Sequence, residues 1–218
     1  VFPGTAYLEM ALAASREWHS GDLQVVEQLD IIAPMVFDGE HARSIRFIIN
    51  ARDGSFQIRS RQRLSADEWV LHAAGRLLEA TDLSQAPRIG PPAEGARVVD
   101  RDTHYIMAEG LGLGYGPAFR GLVEARTDGT WLEADVSAPD GLAAEGFLLH
   151  PALMDLCFQS VVDFFQDAIG DGEGIAFLPI KLGRVDFLGG RHVERFRAHL
   201  KRGSRRSVVV DFEVLDAC

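Results

Sequence analysis

Leu149-His150-Pro151-Ala152-Leu153-Met154-Asp155-Leu156-Cys157-Phe158-Gln159-Ser160-Val161-Val162-Asp163-Phe164-Phe165 is an apolar segment carrying a few polar residues, and the surrounding chain makes sense as its packing partner. Leu149, Leu153, Leu156, Val161 and Phe164 recur near helical spacing, and most residues between them are also apolar. This pattern predicts a helix buried on most of its circumference. Pro151 suits the first turn, where a missing N–H leaves no intrahelical bond unmade. Asp155 and Gln159 stand four apart, so they share a face and the amide can reach and orient the carboxyl group. A carboxyl group in such surroundings needs a hydrogen bond, and desolvation raises its pKa toward the range useful to a general acid. A structural Asp tied to a neighbouring strand fits the same position, and the helix alone leaves both readings open.

Around this segment the pattern is mostly β. Downstream, strands are expected over 176–187, 194–202 and 207–215; upstream, Val123–Arg126 and Thr130–Val136 form a hairpin across Asp128-Gly129. A short helix over Asp102–Glu109 leads into Gly112-Leu113-Gly114-Tyr115-Gly116-Pro117-Ala118-Phe119-Arg120-Gly121-Leu122. The first half repeats this in kind. Thr5 is a candidate N-cap for a helix to about Trp18, with Tyr7, Met10, Ala11, Ala14 and Trp18 on one face. Strands are expected over 23–32, 43–50, 55–61 and 69–78, with turns at Asp38-Gly39 and Asp53-Gly54. Pro87, Gly90, Pro91, Pro92 and Gly95 interrupt any regular element and read as a linker. Two helix-plus-sheet units of an α+β chain joined by a linker suggest a pseudo-dimer with a ligand site between its halves.

Composition narrows the class. The 218 residues are 47% hydrophobic and 25% charged, and no apolar run approaches the roughly 20 residues of a bilayer span. A soluble globular chain is expected, with no membrane partner. The two cysteines, Cys157 in the apolar segment and Cys218 at the end, form no framework, so a reduced, cytoplasmic compartment is the simplest reading. A net charge of −10 disfavours nucleic acid. From Lys181 to Arg206, however, nine basic residues face Asp186 and Glu194. Such a segment suits either docking of a small acidic partner or arginines alternating on the solvent face of strands.

Four motifs in order carry a resemblance. Phe2-Pro3-Gly4-Thr5-Ala6-Tyr7-Leu8-Glu9, Gly114-Tyr115-Gly116-Pro117-Ala118-Phe119-Arg120-Gly121-Leu122, His150-Pro151-Ala152-Leu153-Met154-Asp155 with Gln159, and Leu178-Pro179 together resemble the dehydratase domains of modular type I polyketide synthases. The resemblance implies a double hotdog, with an N-terminal hotdog over 1–85, a linker over 86–97 and a C-terminal hotdog over 98–218. It implies removal of water from a β-hydroxyacyl thioester carried on the phosphopantetheine arm of an acyl carrier protein, with no cofactor bound by the domain itself. Neighbouring synthase domains are expected partners, and a homodimer is an open possibility.

The family pairs a His, in His-x-x-x-Gly-x-x-x-x-Pro, with an Asp in Asp-x-x-x-Gln or Asp-x-x-x-His. Asp155 and Gln159 match the second motif, Asp155 as the acid that protonates the departing hydroxyl and Gln159 as its support. Pro3 matches the last position of the first motif, whose His falls nine residues earlier, before Val1. The segment is therefore expected to be truncated at both ends and inactive alone. Gly4 and Thr5 are assigned to the thioester carbonyl, at a helix start whose N–H groups and dipole favour developing negative charge. Tyr115, Gly116, Pro117, Leu178 and Pro179 complete the expected substrate-binding set.

Other candidates have plainer roles. None of the seven histidines has metal-ligand spacing with another ligand set. His150 is expected to cap or pack at its helix start, His72 to lie in a strand, His104 in a short helix, and His19, His41, His192 and His199 near turns or polar strands. Cys157, two residues from Asp155, is expected in the core. Gly112-x-Gly114-x-Gly116 does not open a helix after a strand, which excludes a dinucleotide loop. Two alternatives to plain dehydration remain at this stage: a pyran-forming cyclase that follows dehydration with ring closure, and a noncatalytic double-hotdog module for dimerisation or carrier-protein docking.

Overall fold

The computed structural model describes residues 1–79, 88–143, 145–165, 176–190, 193–204 and 207–215. Part of the expected linker, together with Arg191, His192, Arg205 and Arg206, lies outside the described residues. The chain divides into two compact units, one formed by 1–86 with 179–189 and the other by 87–178 with 190–218.

In the first unit, helix α1 (Gly4–His19) precedes strands β1 (Gln24–Ile31), β2 (Arg43–Ile49), β3 (Ser55–Gln62) and β4 (Val70–Leu78). The sheet is antiparallel and runs β2-β3-β4-β1-β8, where β8 is Lys181–Phe187. Alternation selects its inner face: Phe56, Ile58 and Ser60 on β3 are buried while Gln57 is exposed. Helix α1 lies against β1 and β4 and buries Tyr7, Leu8, Ala11 and Leu12. Burying an apolar side chain of this size contributes roughly 1.5–3 kcal/mol.

The second unit holds β5 (Arg97–Asp100), α2 (Arg101–Gly110), β6 (Leu122–Thr127), β7 (Trp131–Val136), α3 (Pro151–Gln159), β9 (Arg195–Gly203) and β10 (Val208–Leu215). Its antiparallel sheet runs β10-β9-β7-β6-β5. Leu132, Ala134 and Val136 of β7 and Phe196 and Ala198 of β9 are buried. Helix α3 continues directly into a 3-10 helix over Ser160–Phe165, so the apolar segment forms one buried rod. Phe158 on the rod meets Phe212 of β10 edge to face, with ring centroids 5.8 Å apart.

Two expectations change. The C-terminal hotdog is not contiguous over 98–218, because 179–189 belongs to the first unit. Residues Gln24 to Asp30 of β1 pair with β8, leaving β8 at the end of the first sheet. Thr5 is not the N-cap of α1: the helix begins at Gly4, Pro3 occupies the cap position without a side-chain hydrogen bond, and Thr5 is buried inside the first turn. Pro3, with φ −67° and ψ 146°, already has the extended backbone of a cap, and its carbonyl accepts from Ala6 N at 3.0 Å.

Candidate active site

Helix α3 starts at Pro151, and the His150 side chain caps it by accepting at Nδ1 from Ala152 N at 3.1 Å. This bears out the capping role expected of His150. Burial lowers the His150 pKa, which keeps Nδ1 unprotonated and able to accept.

One turn later, Gln159 Nε2 donates to Asp155 Oδ2 at 3.0 Å. Gln159 is 1% exposed. Burial pushes the Asp155 carboxyl above the ordinary carboxylate range, and the Gln159 hydrogen bond draws it part of the way back. A bond donated into Oδ2 leaves Oδ1 to carry a transferable proton. Cys157, fully buried, has its thiol pushed up by burial and then by the Asp155 charge, so it packs in the core and is no nucleophile.

The loop ahead of β6 lies beside this helix. A short 3-10 turn, Pro117–Phe119, contacts α3, and Tyr115 is half-buried while Gly116 and Pro117 are exposed. The Tyr115 phenol is pushed up by burial, then by the Asp155 charge and by Tyr105, which places Asp155 and Tyr115 in one electrostatic environment. Gly121, the last glycine of the motif, is fixed by close approach. A Cβ there would stand 2.6 Å from Ser137 O and 2.9 Å from Leu156 Cδ1.

In the first unit, Gly4 and Pro179 come together although they lie far apart in sequence. A Cβ on Gly4 would stand 2.9 Å from Ile31 Cδ1 and 3.2 Å from Pro179 Cγ. A methyl group here would have to displace Ile31 Cδ1, the end of a flexible side chain, and crowd the Pro179 ring. Ile31 N donates to Ile180 O at 2.8 Å, which holds the segment beside the helix start. Leu178, just ahead of Pro179, is 72% exposed.

Sequence reasoning placed His104 in its short helix but missed the contacts of Tyr105, His104 and Asp163. Tyr105 on α2 accepts from Leu122 N at 3.1 Å, donates to Phe119 O at 3.3 Å and meets the Tyr115 ring at 6.4 Å. It therefore pins the loop that carries Tyr115. His104 and Asp163 are fully buried and bonded, His104 Nδ1 lying 3.0 Å from both carboxylate oxygens. Arg97 Nη2 also donates to Asp163 O at 2.9 Å. Asp163 stands in the same apolar run as Asp155, but its partner lies 59 residues away, beyond any local spacing. Elsewhere, His72 bridges Ser60 Oγ (2.7 Å) and Ala33 O (3.1 Å), a structural role for a buried histidine.

The family model described as the polyketide synthase dehydratase N-terminal domain matches residues 84–217, and that described as the polyketide synthase dehydratase domain matches residues 1–63. The chain is 32% identical over 186 residues to mycoketide-CoA synthase of Mycobacterium tuberculosis, a match covering 82% of this chain. It is 36% identical over 167 residues to the polyketide synthase GfsE of Streptomyces halstedii, covering 72% of this chain. The matches span about 4% of the length of each of these curated relatives. Among solved structures, the dehydratase domain of a mycocerosic acid synthase-like polyketide synthase superposes with a TM-score of 0.78 at 26% identity, covering 99% of this chain and 77% of that one. GphF dehydratase 1 does so with a TM-score of 0.80 at 26% identity, covering 99% and 79%. With family models and whole-chain structural matches in agreement, the chain belongs to the polyketide synthase dehydratase domains and has their double hotdog fold.

Proposed function

We propose that this domain dehydrates a β-hydroxyacyl thioester, carried on the phosphopantetheine arm of an acyl carrier protein, to the α,β-unsaturated thioester. The observation that carries the reading is Asp155: a carboxyl group raised in pKa by its apolar helix and held by one amide, Gln159. In the reaction the α C–H bond breaks, its proton passes to a base, and its electron pair forms the new double bond. The β C–O bond breaks, and the proton on Asp155 Oδ1 passes to the departing oxygen, which leaves as water. A neutral carboxyl group is the form that donates, and burial of Asp155 favours that form.

Charge developing on the thioester oxygen calls for donors already in place. The start of α1 is suited to this: Gly4 opens the helix and Thr5 follows, at the positive end of the helix dipole. Tyr115 and the exposed Gly116 and Pro117 belong to the acyl path on this reading, with Leu178 and Pro179 as a further wall. On this reading the base is the His of the family pattern whose last position Pro3 matches. The intact Asp-x-x-x-Gln motif of Asp155 and Gln159 favours plain dehydration over ring closure.

The test is the intact mass of a β-hydroxyacyl carrier protein after incubation with the dehydratase extended by its native upstream residues. Loss of one water with the native sequence, but not with Asp155→Asn, is expected. Equal loss with both would assign the acid elsewhere, and no loss from either across several acyl chains would favour a noncatalytic role.

A further inference from the structure

Most of the cross-strand basic residues of this fold face carboxylates. Arg184 stands opposite Glu27 and Lys181 opposite Asp30 across β8 and β1, and Arg197 stands opposite Glu133 and Arg195 opposite Asp135 across β9 and β7. Each pair is joined at 3.3 Å or less: 3.2, 3.2, 2.7 and 2.6 Å respectively. Much of the basic excess of the C-terminal strands is thus neutralised within the fold, which favours the solvent-face reading of that segment over docking.

The β2–β3 ladder breaks this pattern. Residues 43–63 hold six arginines, Arg43, Arg46, Arg52, Arg59, Arg61 and Arg63, against one carboxylate, Asp53. The register sets Arg46 directly opposite Arg59, and Arg61 falls two residues on, hence on the same face. That face is turned away from α1, since Phe56, Ile58 and Ser60 of β3 are the buried ones. Like charges directly opposed on a sheet destabilise it. Among the described residues, none of Arg46, Arg59 and Arg61 has a carboxylate partner.

Instead they gather on Trp69. The Arg46 guanidinium lies 4.0 Å and that of Arg61 4.8 Å from the ring centroid, while Arg59 Nη1 donates to Trp69 O at 3.4 Å. Arg61 Nε is buried without a hydrogen-bond partner. Charge on an edge strand guards against aggregation, which accounts for Arg46 on β2. It does not account for Arg59 and Arg61, because β3 is paired on both sides. Arginines stacked on an aromatic ring form a pre-ordered set of donors of the composition enriched at protein–protein contacts. The net charge of −10 opposes nucleic acid, whereas a few carboxylates on another protein surface need only this local excess.

We propose that the Arg46–Arg59–Arg61–Trp69 face docks an acidic surface of another domain of the same synthase polypeptide. The chain spans only about 4% of the length of relatives such as mycoketide-CoA synthase, so such neighbours are tethered to it and a modest contact suffices. The inference rests on family membership and not on the dehydration chemistry.

Carbodiimide coupling on the full-length synthase tests it. Arg46→Lys supplies a reactive amine, and cross-linked peptides are read by mass spectrometry from a mixture of isotope-labelled and unlabelled protein. A link from position 46 to an Asp or Glu of another domain within one polypeptide is expected, weakened about tenfold by high salt or by adding Arg59→Glu and Arg61→Glu. Dehydration of a soluble β-hydroxyacyl thioester should be unchanged in Arg46→Lys. Retained turnover with links only to Asp67 or Glu68 of the same domain, to a second copy, or to nothing overturns the docking role. If turnover is lost, Arg59→Lys carries the amine instead, and with turnover retained the absence of an interdomain link from position 59 also overturns it. Because cross-linking does not depend on turnover, this result and that of the carrier-protein assay can fail separately.

Discussion

Two aspartates on one buried rod have opposite circumstances. Asp163 is enclosed with a histidine partner, while Asp155 has an amide and a raised pKa. Replacing Gln159 with Leu removes the bond that lowers the Asp155 pKa. The basic limb of the kcat profile should therefore move to higher pH, while kcat falls about 10–10²-fold from lost orientation; stopped-flow turnover across pH checks both. Asp155 also leaves a mark on stability. Its folded pKa lies above the unfolded value, so its contribution is complete below the unfolded pKa and is lost as pH rises through the folded one. Asp155→Asn should therefore resist urea better than the native protein at about pH 8, with the gain disappearing near about pH 3.5.

The elements show what the sequence can reveal. The apolar rod, the Asp155–Gln159 contact and the His150 cap were legible because each depends on neighbours within four residues. The start of α1 was misplaced by two residues because capping preference favours Thr5, whereas Pro3 takes the cap position by backbone shape alone. The pairing of β8 with β1 was illegible for another reason: alternation identifies a strand but not its partner. Tyr105 and His104 act on residues 14 to 59 positions away, so no local spacing pointed to them. Close approach accounts for Gly4 and Gly121, but not for Gly114 and Gly116, which have open space beside them. Gly121→Ala should lose about 1–3 kcal/mol in urea unfolding, since Ser137 backbone blocks the added methyl. Gly4→Ala should lose less, because Ile31 Cδ1, the nearest atom, is the end of a flexible side chain. His150→Ala should cost about 1 kcal/mol through the lost cap.

At the scale of the molecule, the two units are built alike, each from an antiparallel five-stranded sheet and a helix bearing family motifs. Both sheets match basic residues to carboxylates across strands, at β8 and β1 in the first and at β9 and β7 in the second, whereas β2 and β3 leave arginines facing one another. Salt screens the repulsion between Arg46 and Arg59, so Arg46→Gln should gain a few tenths of a kcal/mol at low ionic strength and little at high. The proposed chemistry assigns the acid to the second unit. The most direct measurement of it is the single-turnover dehydration rate of a β-hydroxyacyl carrier protein across pH, for the upstream-extended domain and its Asp155→Asn variant. The account predicts a loss of about 10²–10⁴-fold in the variant, together with disappearance of the basic limb. A variant that keeps both the rate and that limb would contradict it.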